Sequence, residues 1–326
     1  GLLGLIERCP TTQAIAIREN FLPGLLGLAA HAAPSVRAKA CLCLRVLCRS
    51  IDSQPQIFLE TNVVRPLILC LSDPSPEVRE FSLAAVCNVV LDFRNLRAEM
   101  LKQGVLALII QCLDGPLSLR ECALWSIKNL LYLAQPLLKR EVIAKLTWDR
   151  LFGFLRDQHR TRYVQFQALG ILRNLAYKDV SSICSGAGPE LFVVLSELLQ
   201  SSSASHLRSA LYCVANLATG SEHKKALMNP LIIKQVLTSL DFDNSQVQAA
   251  ALWCVVNLTW PTDAGSEERV QRLAEMGFAA KLRELLDLIP QNELGSFGGQ
   301  LRACMQHFRS TNTLISEESS PFLDAS

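Results

Sequence analysis

Apolar and polar residues follow one another along this chain in a pattern that predicts short α-helices grouped in threes. Residues 93–134 illustrate the pattern. A first helix, near Leu96–Gln103, is predicted to end at Gly104, and the following run, Val105–Leu113, is almost wholly apolar. Such a run needs other helices on both sides. Asp114–Pro116 then breaks it, and a third helix, near Ser118–Leu133, completes the group.

The third helix of each group carries an apolar phrase with an asparagine at a fixed point. Five segments share this phrase, and their asparagines are Asn88, Asn129, Asn174, Asn216 and Asn257. Successive asparagines are 41, 45, 42 and 41 residues apart. A period of about 40–47 residues is typical of armadillo and HEAT repeats, in which each unit buries its apolar faces against its neighbours. The chain is therefore predicted to form an all-α, right-handed superhelical solenoid of armadillo repeats.

The third helices also divide the chain into repeats. A solenoid is predicted over residues 1–309, with repeats near 12–50, 51–92, 93–134, 135–177, 178–219, 220–260 and 262–309. The seventh repeat lacks the asparagine and is interpreted as a degenerate C-terminal cap, whose third helix we expect Gly295, Gly298 and Gly299 to shorten. Residues 310–326 are rich in Ser and Glu and are predicted to form a disordered tail.

The junction between the first and second helices of a repeat carries Asn or Gly. Both residue types tolerate a positive φ, which a chain needs when it leaves one helix and enters the next at a sharp angle. We therefore expect a left-handed backbone at this junction in Asn20, Asn62, Gly104, Asn229 and Gly277.

The asparagines share their helix face with aromatic and basic residues. Residues three or four apart lie on one face of a helix. By this spacing, the companions on or beside the stripe are Trp125, Tyr132, Arg173, Tyr177, Arg208, Tyr212, Trp253 and Trp260. A carboxamide offers both a donor and an acceptor, so a ladder of asparagines suits the main chain of an extended peptide, and the rings supply contact area. The third helices are therefore predicted to line a groove that binds such a peptide.

Another explanation of the asparagines remains open. Each carboxamide can instead bond to the backbone of the neighbouring repeat and fix the stacking of the helices. Five in register, four of them with aromatic neighbours, favour the groove. Basic residues outnumber acidic ones along the stripe, which favours an acidic ligand or a free C-terminal carboxylate. The basic residues are Arg37, Arg45, Arg79, Arg120, Lys128, Arg173 and Arg208, and the acidic ones are chiefly Glu80 and Glu121. A solvated helix edge would explain any one of these charges alone.

Composition argues against several other functions. The net charge of +2 gives no general attraction to nucleic acid or to an anionic membrane, and no apolar run reaches the 18 residues expected of a transmembrane helix. The 12 cysteines form no CxxC pair and the five histidines are scattered, so no metal or cofactor is expected. Most cysteines lie in apolar helical phrases and are predicted to be buried thiols in a reducing compartment. Catalytic motifs are absent, and we do not expect an enzyme.

Two segments near the end of the chain carry a more specific resemblance. They are residues 251–260 (ALWCVVNLTW) and 265–277 (GSEERVQRLAEMG), and the phrases at 169–175 and 213–220 fit in the same order. Over about residues 35–308 the chain resembles the armadillo repeat-containing protein 8 family. The resemblance implies a non-catalytic scaffold of the CTLH/GID E3 ubiquitin ligase in the cytoplasm and nucleus, whose armadillo groove holds the tail of the substrate-receptor subunit. It also implies other ligase subunits as partners, and it places Trp253, Asn257 and Trp260 at the centre of the groove.

A second resemblance leaves an alternative function open. The Trp-x-x-x-Asn phrases at 125–129 and 253–257 also resemble importin alpha, an armadillo carrier that binds nuclear-localisation peptides. That function requires an acidic groove and an autoinhibitory basic arm, and neither is visible in the sequence. The ligase scaffold is therefore the first hypothesis.

Overall fold

The computed structural model describes residues 4, 10–49, 55–92, 94–157, 162–178, 186–288 and 296–310. Every regular element in these residues is an α-helix, which confirms the prediction of an all-α fold. None of the described helices is long and apolar enough to cross a bilayer. Residues 311–326, which make up nearly all of the predicted tail, lie outside the described residues. The helices fall into two compact units, residues 1–174 and 175–326.

The first unit places its third helices side by side. Its helices in the described residues are α1 (Pro10–Arg18), α2 (Phe21–Leu28), α3 (Pro34–Leu47), α4 (Pro55–Glu60), α5 (Val64–Leu71), α6 (Pro76–Asp92), α7 (Arg94–Lys102), α8 (Val105–Cys112), α9 (Leu117–Leu130), α10 (Pro136–Leu146), α11 (Trp148–Arg156) and α12 (Arg162–Ala176), whose last turn crosses the end of the unit. Helices α3, α6 and α9 pack against one another in sequence. The apolar helix α8 contacts α5, α7, α9 and α10 and buries Val105, Leu106 and Ile109, in agreement with the need for neighbours on both sides.

The second unit repeats this arrangement. Its described helices are α13 (Glu190–Leu198), α14 (Ala204–Leu217), α15 (Ser221–Leu227), α16 (Pro230–Ser239), α17 (Ser245–Leu258), α18 (Ser266–Glu275), α19 (Phe278–Leu288) and α20 (Ser296–Ser310). The third helices α14, α17 and α20 pack side by side, while α16 covers α17 and α19 covers α20. Each repeat therefore completes its core with a neighbour, as stacked helical repeats do.

The junction residues adopt the left-handed backbone with one exception. Asn20, Asn62, Gly104 and Gly277 have φ values of 61°, 50°, 81° and 95°. The expectation for Asn229 is wrong: its φ is −56°, and its side chain accepts a hydrogen bond from the main-chain nitrogen of Leu231 at the start of α16. The next residue is Pro230, whose ring disfavours an α-type conformation in the residue before it, and asparagine is a good N-cap.

The last third helix is longer than expected. Helix α20 runs over 15 residues, Ser296–Ser310, and contains Gly298 and Gly299, so the prediction that glycines shorten it is wrong. Each glycine costs a helix about 1 kcal/mol relative to alanine. Burial of Leu301, Cys304 and Phe308 in contacts with α17 and α19 offsets that cost.

The cysteines of the apolar phrases are mostly core residues. Cys41, Cys43, Cys87, Cys112, Cys213 and Cys254 are buried and Cys122 is partly exposed, and none of the cysteines in the described residues forms a disulfide. Burial raises the pKa of the Cys304 thiol to about 12. Such a thiol stays protonated at neutral pH and behaves as a small apolar side chain.

Candidate functional site

The asparagines of the repeated phrase bond to the neighbouring repeat. In four of them the side-chain nitrogen, Nδ2, donates to a main-chain carbonyl of the preceding third helix. The pairs and their distances are Asn88 to Arg45 (3.0 Å), Asn129 to Cys87 (3.0 Å), Asn174 to Lys128 (2.9 Å) and Asn257 to Ala215 (2.8 Å). Each bond fixes the register of one third helix against the next. The stacking role that the sequence left open is therefore present in the structure.

These bonds identify the asparagine position in the first repeat, where the residue type differs. Each acceptor lies one residue before the corresponding asparagine of the preceding repeat. Because Arg45 is the acceptor for Asn88, Val46 holds this position in α3. Val46 is buried, so the ladder begins with an apolar residue.

In the last repeat the position belongs to a histidine. The thiols of Cys254 and Cys304 donate to the carbonyls of Leu211 (3.1 Å) and Leu252 (3.6 Å), which are equivalent positions on α14 and α17. Cys304 on α20 therefore corresponds to Cys254 on α17. Since Asn257 follows Cys254 by one helical turn, His307 occupies the asparagine position of α20.

The stacking bonds leave part of each carboxamide unused. Within the described residues, Oδ1 of Asn88, Asn129, Asn174 and Asn257 accepts no hydrogen bond. A second N–H remains on Nδ2 of Asn88, Asn174 and Asn257, whereas Nδ2 of Asn129 also donates to the sulfur of Cys87 (3.3 Å). Asn129 is only 3% exposed, whereas the other three are partly exposed. Asn88, Asn174 and Asn257 can therefore offer an acceptor to a bound chain while they hold the stack. Asn216 is partly exposed as well.

The predicted aromatic and basic companions differ in exposure. In the first unit, Tyr132 is exposed, Arg173 is half-buried, and Trp125 is half-buried with the Lys128 ammonium 5.7 Å from its ring centroid. The remaining companions lie in the second unit. Tyr177, Trp253 and Trp260 are exposed there, and Arg208 and Tyr212 are half-buried.

Two of the predicted residues, Asn257 and Trp260, line a pocket in the second unit. Trp253 is 40% exposed and Trp260 is 48% exposed, which is unusual for so large an apolar side chain. Beside Trp260 lies a pocket of about 290 Å³. It is lined by Ala218, Thr219, Lys224, Asn257, Trp260 and Asp263. The pocket therefore joins the end of the asparagine helix α17 to an indole and to charged groups from two other segments.

Cations and a hydroxyl satisfy the last carbonyls of α17. The carbonyls of Asn257, Leu258 and Thr259 accept from the Lys224 ammonium, Arg269 Nε (2.7 Å) and the Ser266 hydroxyl (3.1 Å), respectively. A helix leaves its final carbonyls without intrahelical donors and carries partial negative charge at this end, so cations stabilise it. These contacts hold the turn from α17 to Trp260 in place.

Lys224 is the most deeply buried charge of this pocket. Its side chain is 1% exposed, and its ammonium also forms an ion pair with Asp263, whose side chain is 24% exposed. Desolvation lowers the pKa of Lys224, and the hydrogen bond that Lys224 donates to Asp263 acts in the opposite direction. The ion pair therefore compensates only part of the cost of burying the cation.

His307 packs against the indole of Trp260. Its Nδ1 lies 2.9 Å from the hydroxyl of Thr259, and its ring meets Trp260 edge-on with centroids 5.8 Å apart. Burial, followed by the nearby Lys224 cation, lowers the pKa of His307 below its usual value. The ring is therefore held as the neutral imidazole near pH 7.

Sequence reasoning did not find Lys224, Asp263 or His307. Lys224 lies in the polar segment Ser221–Leu227 beside another lysine. This pattern is typical of a solvent-exposed helix. A usable signal was the spacing to Leu227, one turn later, because both side chains face the core. For His307 the signal was the one-turn spacing after Cys304, which repeats the spacing of Asn257 after Cys254.

Comparisons with known proteins identify relatives of this chain. The HEAT repeat family matches residues 21–51. Armadillo repeat-containing protein 8 of Danio rerio is 28% identical over 278 residues, which cover 84% of this chain and 41% of the relative. The mouse protein of the same name is 26% identical over 82% of this chain and 40% of its own length. GID complex subunit 5 of Schizosaccharomyces pombe is 23% identical over 84% of this chain and 42% of its own length.

Solved structures share the fold. An engineered protein superposes with a TM-score of 0.80 at 17% identity, over 94% of this chain and 73% of that protein. A computationally designed armadillo repeat protein for modular peptide recognition gives a TM-score of 0.65 at 20% identity, over 72% of this chain and 99% of its own length. At these identities the likeness shows the fold, and it agrees with the predicted armadillo repeats.

The relatives are longer than this chain. The chain spans about two fifths of the length of the curated relatives it matches. The resemblance to the armadillo repeat-containing protein 8 family is confirmed: over more than four fifths of its length the chain is homologous to Armadillo repeat-containing protein 8 and to GID complex subunit 5.

Proposed function

We propose that this chain is a non-catalytic armadillo subunit of a GID/CTLH-type E3 ubiquitin ligase in the cytoplasm and nucleus. In this proposal the surface formed by Trp253, Asn257 and Trp260 holds an extended segment of the substrate-receptor subunit. The observation that carries it is the pair of exposed indoles on either side of Asn257 in the second unit.

The chemistry of this surface suits an extended chain. Asn257 lines the pocket with an unused Oδ1, which can accept from a peptide N–H, and with a second N–H, which can donate to a peptide carbonyl. One such bond contributes only about 0.5–1.5 kcal/mol net, so contact area must supply most of the affinity. Exposed tryptophans are the side chains that most often supply it in protein interfaces.

The relatives support the choice of complex. GID complex subunit 5 is named as a part of that assembly, and the similarity covers most of this chain. Further peptide-contacting residues are proposed in each unit by itself: Asn88, Asn129, Asn174, Trp125, Tyr132 and Arg173 in the first, and Asn216, Tyr177, Arg208 and Tyr212 in the second. Other ligase subunits are proposed as further partners.

A pull-down with the receptor subunit of the same organism tests the proposal. Trp253→Ala combined with Trp260→Ala should weaken receptor binding at least tenfold, because both contact areas are lost. Helicity and melting temperature should stay within error, since both side chains are already exposed. Leu231→Ala is the matched control, because it removes another exposed apolar side chain of the second unit that does not line the pocket.

Unchanged affinity of the double variant would overturn the proposed surface. A labelled basic localisation peptide serves as a second ligand. Tight binding of that peptide, with no binding of the receptor, would favour the importin-like carrier instead.

A further inference from the structure

In the pocket beside Trp260, the ammonium group of Lys224 has one N–H donor without an acceptor. Lys224 has three N–H donors, and the structure pairs two of them, with the carbonyl of Asn257 and the carboxylate of Asp263. Lys224 lines the pocket and is 1% exposed, so solvent competes little for the third donor. A hydrogen bond from a buried cation is worth more than one from an exposed cation.

The charges that act on Lys224 do not balance its own charge. Lys224 and Arg269 lie close enough to repel each other, and Asp263 is the carboxylate that acts on both. Glu268 acts on Arg269 but is not among the charges that act on Lys224, and neither Arg269 nor Glu268 lines the pocket. Lys224 and the two charges that act on it, Arg269 and Asp263, therefore carry a net charge of +1.

The neutral groups of the pocket also fit a carboxylate. Asn257 keeps one N–H, and the Trp260 ring forms an apolar wall next to the cation. A pocket of about 290 Å³ is small and takes the end of a chain or one side chain rather than a folded element.

We propose that this pocket is a carboxylate-binding subsite, in which Lys224 donates its third N–H to an acidic group of the bound peptide. The carboxylate comes either from the C-terminus of the peptide or from an Asp or Glu side chain. This inference rests on the proposed peptide-binding function. It names the chemical group of the peptide that this pocket binds.

Three pools of random hexapeptides separate these sources. One pool lacks Asp and Glu and has free C-termini, the second lacks Asp and Glu and is amidated, and the third is amidated and contains Asp and Glu. Each pool is applied to the immobilised protein, and retained peptides are quantified by mass spectrometry. Retention of the first pool above the second assigns a terminal carboxylate, and retention of the third above the second assigns an acidic side chain. Equal retention of all three overturns the proposal.

Two variants with opposite expected effects separate ligand binding from a structural role. Lys224→Met should lower retention of the favoured acidic pool at least tenfold, because the donor is lost. Asp263→Asn should raise it severalfold, because a competing carboxylate is removed while the cation stays. A purely structural ion pair predicts that both variants lower retention together, and that result would also overturn the proposal.

Failure of this subsite is distinguishable from failure of the proposed function. If Lys224→Met binds the receptor subunit as the wild type does, while the double tryptophan variant does not, the surface is correct and the carboxylate subsite is wrong. If acidic peptides bind through Lys224 but the receptor never does, the subsite stands and the proposed partner is wrong.

Discussion

The phrase Trp-x-x-x-Asn occurs twice in this chain, and its two copies have different surroundings. In the first unit Asn129 is 3% exposed, and the Lys128 ammonium lies over Trp125. In the second unit Trp253 is 40% exposed and Asn257 lines a pocket. Both asparagines nevertheless make the same bond to the preceding third helix. The phrase therefore fixes how the helices stack, whereas its neighbours decide whether the surface is accessible.

Replacing each asparagine by aspartate gives the largest expected difference between the two copies. Asn129→Asp puts a buried carboxylate against the carbonyl of Cys87 with no donor, and we expect it to lower the free energy of unfolding by about 3 kcal/mol. Asn257→Asp should cost about 1 kcal/mol, because the site is partly exposed and borders the Lys224 cation. Urea denaturation of the two variants measures both values.

The corresponding leucine variants are the controls for this pair. They remove the hydrogen bond without adding charge, so Asn129→Leu and Asn257→Leu should differ much less than the aspartate variants do. Equal losses in the two aspartate variants would contradict the idea that accessibility separates the two copies.

Much of the fold was predictable because repeats are local. The spacing of the asparagines located the third helices, and the apolar run at Val105–Leu113 predicted a buried second helix, which is observed over Val105–Cys112. The burial of Asn129 and the exposure of Trp253 also depend on side chains from other repeats, which a single helix pattern does not contain. The pocket was missed for the same reason, since Lys224 and Asp263 meet across 39 residues of sequence.

Acidification tests whether the second unit depends on the histidine at its last asparagine position. The pKa of His307 is lowered in the folded protein by burial and by Lys224, which is itself paired with Asp263. The unfolded chain therefore binds more protons between the folded pKa and about 6.5, so the free energy of unfolding falls as the pH drops through that window. His307→Asn, which restores the residue type of the other repeats, should remove this loss.

The change in the free energy of unfolding is measured by urea denaturation at pH values from about 7.5 to about 5, the range in which histidine titrates. His31→Asn, which removes an exposed histidine of the first unit, is the matched control. A wild type and a His307→Asn variant with parallel pH profiles would contradict this explanation.

The smallest expected effect comes from exchanging the residue before the asparagine. This residue is Lys128 in the first copy and Val256 in the second. The Lys128 stem lies against the backbone of α12, where a Cβ on Gly170 would come within 2.7 Å of its Cδ, and its ammonium covers Trp125. Lys128→Val should therefore uncover the indole at a cost of about 0.5 kcal/mol, the value of an accessible cation–π contact.

Fluorescence quenching by acrylamide, a neutral quencher, reports this change in a background where Trp148, Trp253 and Trp260 are phenylalanine. The quenching constant of Trp125 should rise towards that of a protein with Trp253 as its single tryptophan. Lys145→Val, at an exposed lysine of α10, should leave it unchanged. If Lys128→Val leaves Trp125 as protected as before, the packing of the first unit rather than its lysine closes that surface, and substitutions at single positions will not convert one copy of the phrase into the other.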